Sequence, residues 1–284
     1  MKKPKRKIPK PKTQPSRFEL IKFEIGEDAL KKATPRLRNQ IAGCMHAHNE
    51  LSVLNRVQLF SMNETADAGD LNSSAMIIQQ WFFLQLLAGK LVETWKMLAA
   101  RFLHSNPPDA VLKKLEVAQA ESLKWLTDYF SDPPKDKDNA LRIIRDKTAF
   151  HYDKLDLSEA IEGLPAEERI FYVAQHPANA LYFPGSAMVF RAAFALIAAK
   201  TDPVHGRSFE ERTAEGAKIV LRDVELANVH MHTVLYGLIR ALLDEVLGYP
   251  LDGLTQTRIP VVGAPKPDKV GLPTFIDIGR RSGG

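Results

Sequence analysis

The chain has 284 residues, 45% hydrophobic and 26% charged, a balance typical of soluble globular proteins with one large or two small domains. Its formal net charge of +5 is unevenly placed: residues 1–17 hold eight Lys and Arg and no acid, which leaves −3 for the rest. The single cysteine, Cys44, excludes an intramolecular disulfide and so a disulfide-stabilised secreted fold.

Both ends of the chain differ in composition from the middle. Residues 1–17 are rich in Lys and Pro and are expected to be a disordered basic tail, which either binds nucleic acid or serves as a solubilising or localisation segment. No apolar run follows them, which argues against a signal peptide and for a cytoplasmic protein. Residues 254–284, with four prolines, are expected to be an extended or disordered tail, or an arm that docks on a partner. Residues 18–253 then form the folded domain.

The first half of this domain reads as long helices. Thr34 and Pro35 have the N-cap and first-turn chemistry of a helix start, and a second helix is predicted over 72–103. Its most apolar part, 75–89, is interrupted by glutamines, which favours a buried helix over a membrane span. A third helix is predicted over 108–131.

The second half continues this pattern. A fourth helix is expected to begin near Asn139, and shorter ones over 157–164 and 186–200. Ser208 and Glu211 form a capping-box pattern that starts a last helix, which runs to Gly248. These elements predict a mainly all-α fold, an antiparallel helical bundle, with a small β-hairpin around 169–183, where β-type residues flank a proline.

The stretch LRIIRDKTAFHYDKL, residues 141–155, carries the strongest functional signal. Arg145 and His151 are separated by five residues, and a polar residue, Asp146, follows the arginine. This spacing, late in an all-α chain, resembles the R-x4-6-H motif of the HEPN superfamily. The resemblance is close over the motif and loose over the helical body.

The resemblance implies a metal-independent endoribonuclease, without a cofactor, of the kind found in defence or toxin–antitoxin systems. Carried over, His151 is the general base on the ribose 2′-OH, a role that suits an imidazole because its ordinary pKa of about 6.5 lies near working pH. Arg145 holds the scissile phosphate. Asp146, Lys147 and Tyr152 are expected to orient these groups or to contact RNA.

One geometric point favours a homodimer. Positions six apart on a regular helix differ by about 600°, which leaves Arg145 and His151 about 120° from alignment. Either the helix ends or bends between them, or the long arginine reaches round, or the two groups meet across two subunits. The last alternative also agrees with the paired subunits that the resemblance implies, and an antitoxin is a further expected partner.

A structural interpretation of the same residues stands beside the catalytic one. His151 near a helix end can act as a C-terminal cap, and Arg145 can pair with Asp138 or Asp153 on a solvated face. The chain would then be a non-catalytic helical module that binds RNA or protein. A third hypothesis is a subunit of a larger assembly, docked through the C-terminal arm.

Other chemistries find less support in the sequence. His46 and His48, like His230 and His232, lie two apart, and on a helix such residues point about 200° away from each other, so neither pair chelates one ion. His48 is expected to be a hydrogen-bonded core residue, and a mixed site across two helices stays open. Cys44 is predicted to be a packing residue. No metal site is predicted.

Overall fold

The computed structural model of the protein describes residues 17–63, 70–105, 109–130, 139–149, 155–174, 179–201, 203 and 205–275. Most of these residues are helical, which confirms the all-α prediction at the level of fold class. The α-helices are α1 Glu27–Lys32, α2 Pro35–Ser61, α3 Asp70–Leu98, α4 Val117–Phe130, α5 Ala140–Ile144, α6 Ser158–Glu162, α7 Phe183–Thr201 and α8 Phe209–Leu247. The strands are β1 Arg17–Phe23 and β2 Gln256–Val262.

Local sequence signals set several helix ends as predicted. The Thr34 side chain accepts a hydrogen bond from Leu37 N at the start of α2, and Pro35 occupies the first helical position. The capping box of Ser208 and Glu211 starts α8. Gly248 ends α8 in the left-handed conformation, with φ 76°, which an L side chain rarely adopts.

The predicted third helix, 108–131, is wrong as a single element. The Asp109 side chain accepts from Val111 N and caps a short 3₁₀ helix, Ala110–Lys114. Leu115 is then extended, and the Gln119 side chain accepts from Glu116 N before α4 begins. Two separate N-terminal caps therefore divide one apolar stretch into two elements.

The core is built around α8, which packs against α2, α4 and α7, while α3 packs against α2 and α5. Trp95 of α3 and Phe130 of α4 are almost fully buried and stack with ring centroids 5.4 Å apart. Four of the five residues of α5 are also buried: Ala140, Leu141, Ile143 and Ile144. This short helix is therefore anchored in the core, although it has little more than one turn.

Two helical segments, Leu71–Leu103 and Phe183–Thr201, are long and apolar enough to span a membrane by length and composition. A core helix of a soluble protein passes the same test, and here both segments contribute residues to the main hydrophobic cluster, among them Leu91, Trp95 and Ile197.

The sheet joins the two ends of the described chain. β1 and β2 pair antiparallel, from Arg17 with Val262 to Phe23 with Gln256. Beyond β2 the chain returns to the bundle, where Asn63 donates to the carbonyls of Pro267 and Val270. Thus part of the segment predicted to be an extended or disordered tail, 254–284, is a strand; residues 276–284 and the basic residues 1–16 lie outside the described ranges.

The hairpin predicted around 169–183 is reduced to one antiparallel bridge. Tyr172 and Leu181 exchange two hydrogen bonds of 2.8 Å, and residues 175–178 between them lie outside the described ranges. No longer ladder is found on the described residues either side of the bridge, and Val173 and Tyr182 are exposed.

Candidate functional site

The start of α5 is fastened to the end of α4. The Asn139 side chain accepts from Arg142 N at 2.9 Å as the N-cap, and it donates to the Tyr129 carbonyl at 3.2 Å. Arg142 donates to the Phe130 carbonyl at 2.7 Å. Carbonyls at the end of a helix have no partner within it, so these two side chains satisfy α4 while they fix α5.

After α5 the chain widens into π-helical turns over Arg145–Ala149. The Thr148 side chain is buried and its hydroxyl donates to the Ile144 carbonyl at 2.6 Å. Such turns are rare and occur often at functional sites. Arg145 is thus the first residue after a buried helix, at the point where the regular α-helical geometry ends.

The Arg145 guanidinium lies between two carboxylates. Its Nη2 is 2.6 Å from Oε1 of Glu93 on α3, and its Nη1 forms an ion pair with Asp146. Lys96 Nζ is 3.0 Å from the same Glu93 oxygen. About a quarter of the Arg145 side chain is exposed, against about half of the carboxylates. The guanidinium is therefore held in one orientation at the surface.

The electrostatics of this cluster favour charged carboxylates. Desolvation raises the pKa of Glu93, but the hydrogen bond from Lys96 and the charge of Arg145 outweigh it, so this pKa lies below its ordinary value. Two cations, Arg145 and Lys96, thus face two carboxylates, Glu93 and Asp146, and Lys147 follows in the same π-helical turns. A phosphate reaching Arg145 would have to share the guanidinium with Glu93 and Asp146.

The structure brings together three of the predicted site residues, Arg145, Asp146 and Lys147, in the π-helical turns. His151 and Tyr152 lie outside the described residues, as do Asp138 and Asp153, the alternative partners of Arg145. The sequence analysis missed Glu93 and Lys96. Their spacing of three on a predicted helix was a visible signal of an exposed ion pair, but nothing in it pointed to Arg145.

The remaining histidines form two polar clusters. His48 of α2 and His232 of α8 meet edge to face, with ring centroids 4.7 Å apart, and Asn55 Nδ2 lies 2.9 Å from His232 Nε2. Desolvation lowers the pKa of both, and the neighbouring His48 lowers that of His232 further. His230 stacks on Trp125 with centroids 4.5 Å apart.

These clusters are packing features that mix polar and aromatic groups. Among the residues that the structure describes, no group of three or more His, Cys, Asp or Glu side chains is placed to hold a metal ion. Burial raises the pKa of the Cys44 thiol to about 12, so the thiolate needed for nucleophilic attack does not form at neutral pH.

The Arg145 cluster is therefore the best candidate for a catalytic or binding site on the described residues. It presents a surface guanidinium that is fixed by the core behind it and by carboxylates beside it, six positions before a histidine. Comparison with protein-family models, with curated proteins and with solved structures finds no match for this chain.

Proposed function

We propose that the protein is a HEPN-type, metal-independent endoribonuclease in which Arg145 and His151 act on RNA. The observation that carries the proposal is the presentation of Arg145: a core-anchored helix ends there in π-helical turns, and its guanidinium is oriented at the surface within the R-x5-H motif. A pre-oriented guanidinium is what electrostatic stabilisation of a phosphorane-like transition state requires.

In the proposed reaction His151 removes the proton from a ribose 2′-OH, and the oxygen attacks the adjacent phosphorus. The bond to the 5′-oxygen of the next nucleotide breaks and that oxygen takes a proton from water, which leaves a 2′,3′-cyclic phosphate and a free 5′-hydroxyl. The protonated His151 then returns its proton to the solvent. Arg145 stabilises charge on the phosphate oxygens, Asp146 and Glu93 orient Arg145, and Lys147 and Tyr152 contact the RNA.

The proposal includes a cytoplasmic homodimer, in which the second subunit supplies the histidine that acts with Arg145, and an antitoxin as a further partner. It predicts that light scattering gives the mass of two chains. The proposed activity needs the dimer, so a variant that is monomeric should not cleave RNA.

A second candidate function is a non-catalytic helical module that binds RNA or a protein partner. The observation that favours it is the same ion pairing, because two carboxylates already occupy the Arg145 guanidinium as they would in a structural bridge. In that case Arg145 contributes to stability or to binding and no strand is cut.

The deciding experiment incubates a labelled oligoribonucleotide with the protein in EDTA. We expect cleavage to products with a 2′,3′-cyclic phosphate, and no cleavage of the all-DNA oligonucleotide, which lacks the attacking hydroxyl. His151→Ala and Arg145→Ala should each lower the rate by at least about a hundredfold.

Two matched variants control for loss of a side chain elsewhere. His46→Ala removes an exposed histidine of α2, and Arg56→Ala an exposed arginine of the same helix; both should keep the wild-type rate. Circular dichroism checks that all variants fold. RNA that stays intact with folded wild-type protein, or cleavage unchanged in His151→Ala, would reject the nuclease in favour of the binding module.

A further inference from the structure

The C-terminal part of α3 presents one solvent-facing side next to the Arg145 cluster. Between Leu91 and Phe102, which are both buried, the exposed residues are Glu93, Lys96, Ala100 and Arg101. The first three are spaced by three and four residues, which places them on one side of the helix, and Arg101 follows directly after Ala100. This side begins at the ion pair with Arg145 and ends at Arg101, in the π-helical turns Ala99–Leu103.

At the Arg101 end this side opens into a cavity of about 320 Å³ between α3 and the first turns of α2. The cavity is lined by polar and cationic residues, with no acidic side chain among them: Arg36, Asn39, Gln40, Ala100, Arg101 and Ser105. Two guanidiniums converge there from different helices. The positive N-terminal end of α2 lies beside them and adds to the attraction for an anion.

Neighbouring groups fix both guanidiniums. Asp109 Oδ2 accepts from Arg36 and from Gln40, each at 2.7 Å, so Arg36 is held at the rim. Gln40 also donates to the Arg101 carbonyl at 3.3 Å. The Asp109 carboxylate is only 15% exposed, and its other oxygen accepts from Val111 N at 3.1 Å.

The position of Arg101 depends on a glycine. Its guanidinium donates to the Asn39 carbonyl and lies against Gly43, where an added Cβ would collide with Nη1. Within the described part of the chain this is the one hydrogen bond found for the guanidinium, and Arg101 lines the cavity. Gly43 thus makes room for a flat cation over α2.

From this arrangement we infer that the Arg36–Arg101 cavity binds a backbone phosphate of single-stranded RNA, at a distance from the phosphate held by Arg145. The inference rests on the proposed function for its ligand. Planar guanidiniums from two sides, with amide and hydroxyl groups between them, match the tetrahedral oxygens of a phosphate. Lys96 lies between the two ends of this path.

The helix gives the spacing. Arg101 follows Glu93 by eight residues, which is about 12 Å at the α-helical rise. Successive phosphates of a stacked strand are about 3.4 Å apart along its axis, so the cavity holds a phosphate about three or four nucleotides from the one at Arg145. Oligonucleotides shorter than about four nucleotides cannot reach from Arg145 to the cavity. Their affinity should therefore be the same for the wild type and for a variant without the cavity arginines.

The test measures binding of a fluorescent 2′-O-methyl oligoribonucleotide of twelve nucleotides, which cannot be cleaved, by anisotropy at several KCl concentrations. The double variant Arg36→Ala/Arg101→Ala should bind about tenfold more weakly. Its plot of log affinity against log salt should be shallower by about 0.7, the loss of one single-strand phosphate contact.

The matched control is Arg56→Ala, which removes an exposed arginine about 30 Å further along α2 and should leave the salt dependence almost unchanged. Gly43→Ala keeps every charge but displaces the Arg101 guanidinium, so it should weaken binding by a few-fold. If the double variant fails to fold, Arg101→Gln replaces it, because this variant retains a donor for the Asn39 carbonyl. We expect the same decrease in the slope of log affinity against log salt.

Equal affinity and slope in the cavity variants and in Arg56→Ala would overturn the inference, whether or not RNA is cut. The two proposals can also be told apart when cleavage is absent. If wild-type protein never cleaves RNA but the cavity variants lose affinity, the nuclease proposal fails and the phosphate site stands.

Discussion

Helix α8 and the region around α5 differ in what determines their ends. α8 runs for 39 residues between a capping box at Ser208 and a left-handed glycine at Gly248, both of which are encoded within a few residues. α5 has five residues, begins at the N-cap Asn139 and passes into π-helical turns at Arg145. There, contacts with α3 and α4 determine the geometry. The comparison teaches that local signals specify the scaffold, whereas long-range contacts shape the candidate site.

The largest expected effect comes from breaking the packing of α8. Gly216→Ala raises helix propensity by about 1 kcal/mol, but its new Cβ would collide with the backbone carbonyl of Phe194 on α7. We therefore expect a net loss of about 2 kcal/mol in the free energy of unfolding, measured with urea.

The control for this variant is Gly237→Ala on the same helix. Its Cβ would meet the side chain of Gln119, which can move more readily than backbone, so the loss should be smaller. Equal stability of Gly216→Ala and the wild type would show that α7 and α8 can move slightly apart without a loss in the free energy of unfolding.

The next prediction compares the N-cap of α8, Ser208, with the N-cap of α5, Asn139. Ser208→Ala should lower the free energy of unfolding by about 1 kcal/mol, the usual loss for a cap. Asn139→Ala should cost about 2 kcal/mol, because it also removes the hydrogen bond to the Tyr129 carbonyl. Hydrogen exchange should speed up near α5 in the second variant alone, and Thr34→Ala, a simple cap of α2, should resemble Ser208→Ala. A smaller loss for Asn139→Ala than for Ser208→Ala would contradict the tie between α4 and α5.

A smaller change near neutral pH is expected where α8 packs on α2. Burial holds the pKa values of His48 and His232 below the ordinary value of about 6.5, so the unfolded chain binds protons more readily than the folded one. Their contribution to stability is complete above about pH 6.5 and is lost as the pH falls towards the folded pKa values.

The measurement is urea unfolding between pH 5 and pH 8 for the wild type and for His232→Gln, whose amide oxygen can still accept from Asn55. The variant should lose less stability on acidification, while the part due to His230, whose pKa burial also lowers, remains. Identical slopes in the two proteins would mean that His232 does not contribute to the pH dependence of unfolding.

The smallest expected effect is at the candidate site itself. Glu93→Gln should change the free energy of unfolding by less than about 1 kcal/mol, because its ion pairs with Arg145 and Lys96 are half-exposed. The same variant should tighten RNA binding by about threefold at low salt, since it removes a negative charge beside the Arg145 guanidinium. Lys218→Met, which removes an exposed ion pair in the first third of α8, is the stability control. A loss above 2 kcal/mol would identify the ion pair as structural and favour the non-catalytic module.

The sequence allowed the scaffold to be predicted where chemistry is local. Thr34, Asn139 and Ser208 are N-caps because their side chains reach backbone N–H groups only two or three residues away, and the pattern is visible in any short window. The helical content follows from the same windows, since apolar residues recur with the helical period.

Long-range pairing escaped prediction for a physical reason. The strands β1 and β2 come from opposite ends of the chain, and neither has a partner signal in its own neighbourhood. The contact between Arg145 and Glu93 is of the same kind: the motif identified the arginine, but only the folding of α3 against α5 places a carboxylate beside it. The Arg36–Arg101 cavity likewise needs two helices at once.

The pairing of β1 with β2 has a mechanical consequence. If the molecule is stretched by its two ends, the load first reaches the hydrogen bonds that hold the segment after β2 to Asn63 and Asn72. The strand pair then opens one residue pair at a time, beginning with Arg17 and Val262 and ending with Phe23 and Gln256. The strand pair therefore opens before the covalent chain within the helices is extended.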